Sequence, residues 1–122
     1  MDTNLDKIAA DVVECAFRIH RLYGPGLLEK AYEKMLVRLL RKLGHKVDEQ
    51  KPVSIVFEGE TIDEAFRIDL LVDDGLVVEL KATDEQSKVF YRQLLTYLKL
   101  TDKRLGLVIN FGMERLAEGI RR

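Results

Sequence analysis

The residues whose types and spacing could do chemistry lie between Phe66 and Lys81, where Asp69, Glu79 and Lys81 sit within two apolar runs separated by Asp73-Asp74-Gly75. Side chains alternate faces along a strand, so Glu79 and Lys81 share one face of the second run while Val78, Leu80 and Ala82 share the other. The turn decides whether Asp69 joins them. With a three-residue loop, Asp73-Asp74-Gly75, and Gly75 in the left-handed position, Val72 faces Leu76 and Asp69 lies opposite Glu79. With a two-residue loop, Asp74-Gly75, Asp69 faces Leu80 and points away, because a one-residue slip reverses every face. We expect the three-residue loop, which gathers Phe66, Ile68, Leu70 and Val72 with Leu76, Val78 and Leu80 on one apolar face.

Two carboxylates at cross-strand distance repel each other and are costly to hide from water unless a cation joins them. A hard divalent ion answers both problems. Mg²⁺ takes oxygen ligands and keeps several waters, so Asp69, Glu79 and a backbone carbonyl such as that of Leu80 would leave room for water and a substrate phosphate, with Lys81 reaching the same face. The same pattern could serve as a solvated strand face or an ion pair, but charges in the middle of apolar flanks favour function. Gln93 and Tyr97, four apart, would share a helix face and offer an amide and a phenol to the strands below, or fill ordinary surface and core positions. Glu29 opens a helix just after Gly24-Pro25-Gly26, where a carboxylate is favourable on electrostatic grounds alone. Arg67, Lys88 and Arg92 could guide a phosphate backbone or simply be solvated. His20 and His45 lie on separate segments and are assigned to packing or surface roles.

These residues need elements to position them. Leu5, Ile8, Ala9, Val12, Val13, Ala16, Phe17 and Ile19 follow the three-and-four spacing of a helix from about Thr3 to Leu22, and Leu28, Tyr32, Leu36, Leu39, Leu40 and Leu43 mark a second ending near Gly44. Strands follow at 47–57, 61–72 and 76–82, the third apolar enough to be central. A helix from Glu85 to about Leu100, a buried strand from Arg104 to Phe111 and a short helix from Glu114 to Arg121 complete the order α-α-β-β-β-α-β-α. A crossover helix returning to the meander predicts an α/β fold with a mixed four-stranded sheet flanked by helices, in a single domain over residues 1–122.

The charge balance narrows the function classes. Twenty Lys and Arg against twenty-one Asp and Glu give a net charge of −1, so blanket phosphate neutralisation is excluded and any nucleic-acid contact must be local, or supplied by metal ions or an oligomer. Cys15, the single cysteine, sits among apolar residues and reads as a small core residue, which excludes a disulfide scaffold or a Cys-based zinc site. The acidic start MDTNLDKIAADVVE lacks the pattern of a leader and no run approaches a membrane span, from which a soluble, cytoplasmic protein is expected.

Gly26-Leu27-Leu28-Glu29-Lys30-Ala31-Tyr32 fits the signature G-x-x-E-x-x-Y. With Asp69, Glu79-Leu80-Lys81 and Gln93-Leu94-Leu95-Thr96-Tyr97, the chain from about Ile19 to Arg121 resembles the GxxExxY family of the PD-(D/E)XK nuclease superfamily. The resemblance implies a restriction-endonuclease-like core and a Mg²⁺- or Mn²⁺-dependent hydrolysis of phosphodiester bonds by a metal-bound water. Asp69 and Glu79 then look like metal ligands, Lys81 like the lysine that positions the attacking water, and Glu29 like a helix carboxylate of the metal site. Gln93 and Tyr97 are similar to the Q-x-x-x-Y motif of exonuclease modules in recombination-repair enzymes. Ile68 stands where the superfamily's name has proline. The implied partner is nucleic acid, with DNA preferred to RNA, and a homodimer would enlarge the binding groove. The competing reading is a catalytically silent module that keeps the fold to bind nucleic acid or protein.

Overall fold

Apolar three-and-four spacing winds Thr3–Tyr23 into helix α1, with Ile8, Ala9, Val12, Cys15, Ala16 and Ile19 buried along one stripe. The computed structural model describes residues 3–122; Met1 and Asp2, part of the acidic start, lie outside them. Helix α2, Glu29–Lys42, buries Tyr32, Leu36, Val37 and Leu40. It stops where Gly44 adopts φ 94° and the His45 amide donates to the Leu40 carbonyl, a left-handed terminus that glycine provides without strain.

Among the described residues, five strands make one sheet in the spatial order β1-β2-β3-β4-β5. Strands β1 (Val47–Phe57) and β2 (Glu60–Val72) form a long antiparallel hairpin through Glu58-Gly59, both at positive φ as a two-residue turn of this hand requires. Strand β3 (Leu76–Lys81) is central and buried from Leu76 to Leu80. Helix α3 (Lys88–Thr101) starts at Ser87, whose hydroxyl accepts from the Val89 amide, and carries the chain over to β4 (Leu105–Asn110), parallel to β3. Helices α1 and α2 cover one sheet face around Leu70, Val72, Leu76, Val78, Leu80, Leu107 and Ile109. Helix α3 covers the other around Ile68, Leu71, Val77 and Val108.

The expected three-residue register is the observed one: Val72 pairs with Leu76 and Leu70 with Val78. Three details differ. Gly75 is not left-handed; Asp73 and Asp74 are, at φ 51° and 57°, and Asp73 is held there because its carboxylate accepts from the Lys46 amide at 2.8 Å and meets His45 Nδ1 at 2.5 Å. Glycine at 75 answers close packing instead, since a Cβ there would lie 2.8 Å from Leu5 Cδ2. Second, Phe66 and Ile68 do not share a face with Leu70 and Val72, for they pack beneath α3. Strict alternation fails around Asp69, opposite a kink in β1 at Gln50, φ 50°. Third, the expected closing helix over Glu114–Arg121 is a single 3-10 turn, Leu116–Gly119, followed by a fifth strand, β5 (Ile120–Arg121), so the sheet has five strands and not four. Leu116 and Ile120 sit four apart as in a helix, but Gly119 presses against the Asn110 carbonyl, where a Cβ would come within 2.3 Å, and Ile120 pairs with Ile109.

Candidate metal centre

The β2–β3 ladder runs only from Leu70 and Val78 to the turn, and beyond it the strands part. Asp69 and Glu79 occupy this fork. Each carboxylate accepts from the other strand's backbone: Asp69 Oδ2 from the Leu80 amide at 2.8 Å, and Glu79 Oε1 from the Asp69 amide at 3.4 Å. Side-chain oxygens therefore take over the satisfaction of amides that the ladder has abandoned. The Lys81 carbonyl accepts from the Phe111 amide on the β4 side, so by strand alternation the Leu80 peptide faces the fork.

Glu79 is 5% exposed. Burial, then the Asp69 charge, push its carboxyl up to about 8 from an ordinary 4.5. Glu29, at the first turn of α2, is raised as well, by partial burial and then by Asp69. Tyr97 stacks on Phe66 at 4.3 Å between ring centres, and its phenol is raised by burial and then by the charges of Glu79 and Asp69. The Lys81 ammonium stands 5.1 Å above the Phe90 ring. Thus Asp69, Glu79, Lys81, Glu29 and Tyr97 converge. Gln93 lines a hollow together with Phe66, Tyr97, Ile55 and Val89, and among the described residues no hydrogen bond joins it to the fork.

A cavity of about 450 Å³ beside the fork is lined by Glu29, Glu33, Gln50 and Asp69 together with Leu28 and Lys30. Glu33 and Gln50 escaped the sequence reading. Glu33 is 3% exposed, and the available signal was its position four residues after Glu29, on the same helix face. Gln50 carried no signal, because its reach depends on a left-handed kink inside a strand.

Glu29 owes its place to the tyrosine that follows it. The Tyr32 hydroxyl donates to the Gly24 carbonyl at 2.5 Å and accepts from the Leu27 amide at 3.1 Å, while its ring stacks on Phe111 at 4.3 Å. A G-x-x-E-x-x-Y spacing thus lets one buried side chain fix the loop that launches α2, with Glu29 as its first residue.

The basic residues divide. Arg67 pairs with Glu64 at 3.0 Å, whereas Lys88 and Arg92 line, with Arg121 and Phe90, a cavity of about 300 Å³ at the start of α3. Both histidines have structural partners: His20 Nε2 lies 2.9 Å from the Met113 carbonyl, and His45 bridges Asp11 and Asp73.

Among the described residues, no three His, Cys, Asp or Glu side chains form a ready cage for a metal ion. The donor chemistry nonetheless suits a hard divalent cation: carboxylates that repel each other, a peptide carbonyl facing the fork, and space for water. The family model described as the PD-(D/E)XK nuclease superfamily matches residues 6–122. The chain belongs to the PD-(D/E)XK nuclease superfamily. No curated protein and no solved structure gives a significant match. The superfamily's nucleases usually work with divalent metals on nucleic acid, and the mixed sheet with its flanking helices is consistent with its fold. No helix among the described residues is long and apolar enough to cross a membrane.

Proposed function

We propose that this protein is a nuclease of the GxxExxY family that hydrolyses phosphodiester bonds in DNA with Mg²⁺ or Mn²⁺, and that Asp69, Glu79, the Leu80 carbonyl and Glu29 hold the ion. The observation that carries the reading is the fork, in which two carboxylates meet between the parted strands and one of them, Glu79, is buried. When bound, a divalent cation supplies positive charge to the scissile phosphate and acidifies a water. Lys81 orients the attacking water and counters charge building on the phosphate, and Tyr97 offers a phenolic donor at the rim. Gln93 is reserved for contacts further along the substrate. The protein would act in the cytoplasm, and a second copy would extend the groove.

The even charge balance favours the rival reading of a silent binding module, and a metal-binding measurement paired with a cleavage assay separates the two. Millimolar Mn²⁺ should raise the melting temperature of the wild type by a few degrees, roughly what saturation well above Kd provides, and leave Asp69→Asn and Glu79→Gln unmoved. Nicking of double-stranded DNA should fall by about 10²–10³-fold in Lys81→Ala. Metal binding without any cleavage of DNA or RNA would favour the silent module, and the absence of a metal shift would end the nuclease reading.

A further inference from the structure

Glu33 presents an anomaly that metal ligation by its neighbours leaves unexplained. Its Oε2 is buried and among the described residues has no hydrogen-bond partner, with the Lys30 ammonium 3.8 Å away, whereas Oε1 accepts from Gln50 Nε2 at 2.8 Å. A carboxylate is rarely held this far from water for one hydrogen bond alone. The same Gln50 amide also donates to Asp69 Oδ1, at 3.3 Å. Gln50 can reach both acids because its backbone is left-handed, between the pairs Glu49–Leu70 and Lys51–Ile68 that set it opposite Asp69.

Resting on the metal reading above, we infer that Glu33 is a positioning residue that acts through Gln50 to orient the Asp69 carboxylate. A glutamine amide has two ends of opposite character, and only the NH₂ end suits a carboxylate. The shorter contact is the one to Glu33, so Glu33 fixes which end faces inward, and the second N–H is thereby aimed at Asp69. With the Leu80 amide on Oδ2, both Asp69 oxygens are then held by N–H donors, each with a lone pair left for an ion. Without Glu33 the amide is free to turn its carbonyl toward Asp69, which would rotate the carboxylate away.

Three chains test this: wild type, Glu33→Leu and Glu33→Gln, the last retaining an oxygen that can accept from Gln50. Mn²⁺ affinity, measured by titration calorimetry on the folded proteins, should fall by roughly 10–100-fold in Glu33→Leu and stay within about threefold of wild type in Glu33→Gln. In the metal-free protein, the Gln50 side-chain NH₂ signals should exchange slowly with water in wild type and Glu33→Gln, and quickly in Glu33→Leu. Unchanged affinity and unchanged Gln50 signals in Glu33→Leu would overturn the inference. Equal losses in the Leu and Gln variants would overturn it too, by showing that the charge of Glu33 matters and its acceptor geometry does not. Should the wild type bind no Mn²⁺, the metal reading fails by itself, and the metal-free Gln50 signals still decide the link between Glu33 and the amide.

Discussion

At Val72 and Leu76 the β2–β3 hairpin is closed, apolar and fully buried, while at Asp69 and Glu79 the same two strands have parted and carry charge. The difference shows how a sheet can carry paired acids without losing its core. Where the ladder is complete, backbone donors and acceptors satisfy one another and the side chains are free to be Val and Leu. Where it opens, the freed amides need acceptors, and carboxylates supply them at the cost of bringing like charges together. The fork is thus structurally satisfied and electrostatically unfinished, the condition in which a divalent cation gains most from binding.

The comparison can be broken at either end. The largest effect is expected at the closed end, where Leu76→Ala removes a fully buried side chain between α1 and the sheet and should lower the unfolding free energy by about 2–5 kcal/mol in denaturant melts. Its Mn²⁺-induced shift in melting should survive. Loss of that shift together with stability would mean that the two ends do not act separately.

The open end should answer to pH. Because the folded-state pKa of Glu79 is raised to about 8 from 4.5, the folded metal-free chain keeps a proton that the unfolded chain has released between those values. The stability tied to that proton is complete below about pH 4.5 and drains away as pH rises toward 8, by at most about 1.4 kcal/mol per pH unit. Glu79→Gln should flatten this slope in metal-free melts between pH 5 and 8. An unaltered slope would locate the titration elsewhere and leave the fork electrostatically ordinary.

What the sequence revealed follows the same division. The fork acids and Lys81 were legible because period-two alternation and a Asp-Asp-Gly turn fix a register, and register fixes faces. Glu29 and Tyr97 were legible as helix positions, though only the tertiary structure brings Tyr97 within the electrostatic influence of Glu79 and Asp69. Gln50 and Glu33 were not, since a left-handed residue inside a strand breaks the periodicity on which face assignment depends. Irregularity also misled at Ile68, placed by alternation with Leu70 but packed beneath α3. At the C-terminus, helical spacing between Leu116 and Ile120 was outweighed by an edge of β4 that needed a partner.

The smallest effect concerns why the closed end closes. If Gly75 were required for a left-handed turn, any side chain there would cost about 1–2 kcal/mol whatever its neighbours. The turn instead places Asp73 and Asp74 at positive φ and leaves Gly75 against the tip of Leu5, a flexible end that can rotate away. Gly75→Ala should therefore cost no more than about 1 kcal/mol, the scale of one displaced rotamer. In a Leu5→Ala background the loss should vanish or reverse, because alanine also narrows the unfolded ensemble. A double-mutant cycle read from denaturant melts measures this coupling directly. Additive losses would show that the Leu5 contact is not what disfavours a side chain at Gly75, whereas coupling would show that contact with α1 selects glycine at the closed end of the hairpin.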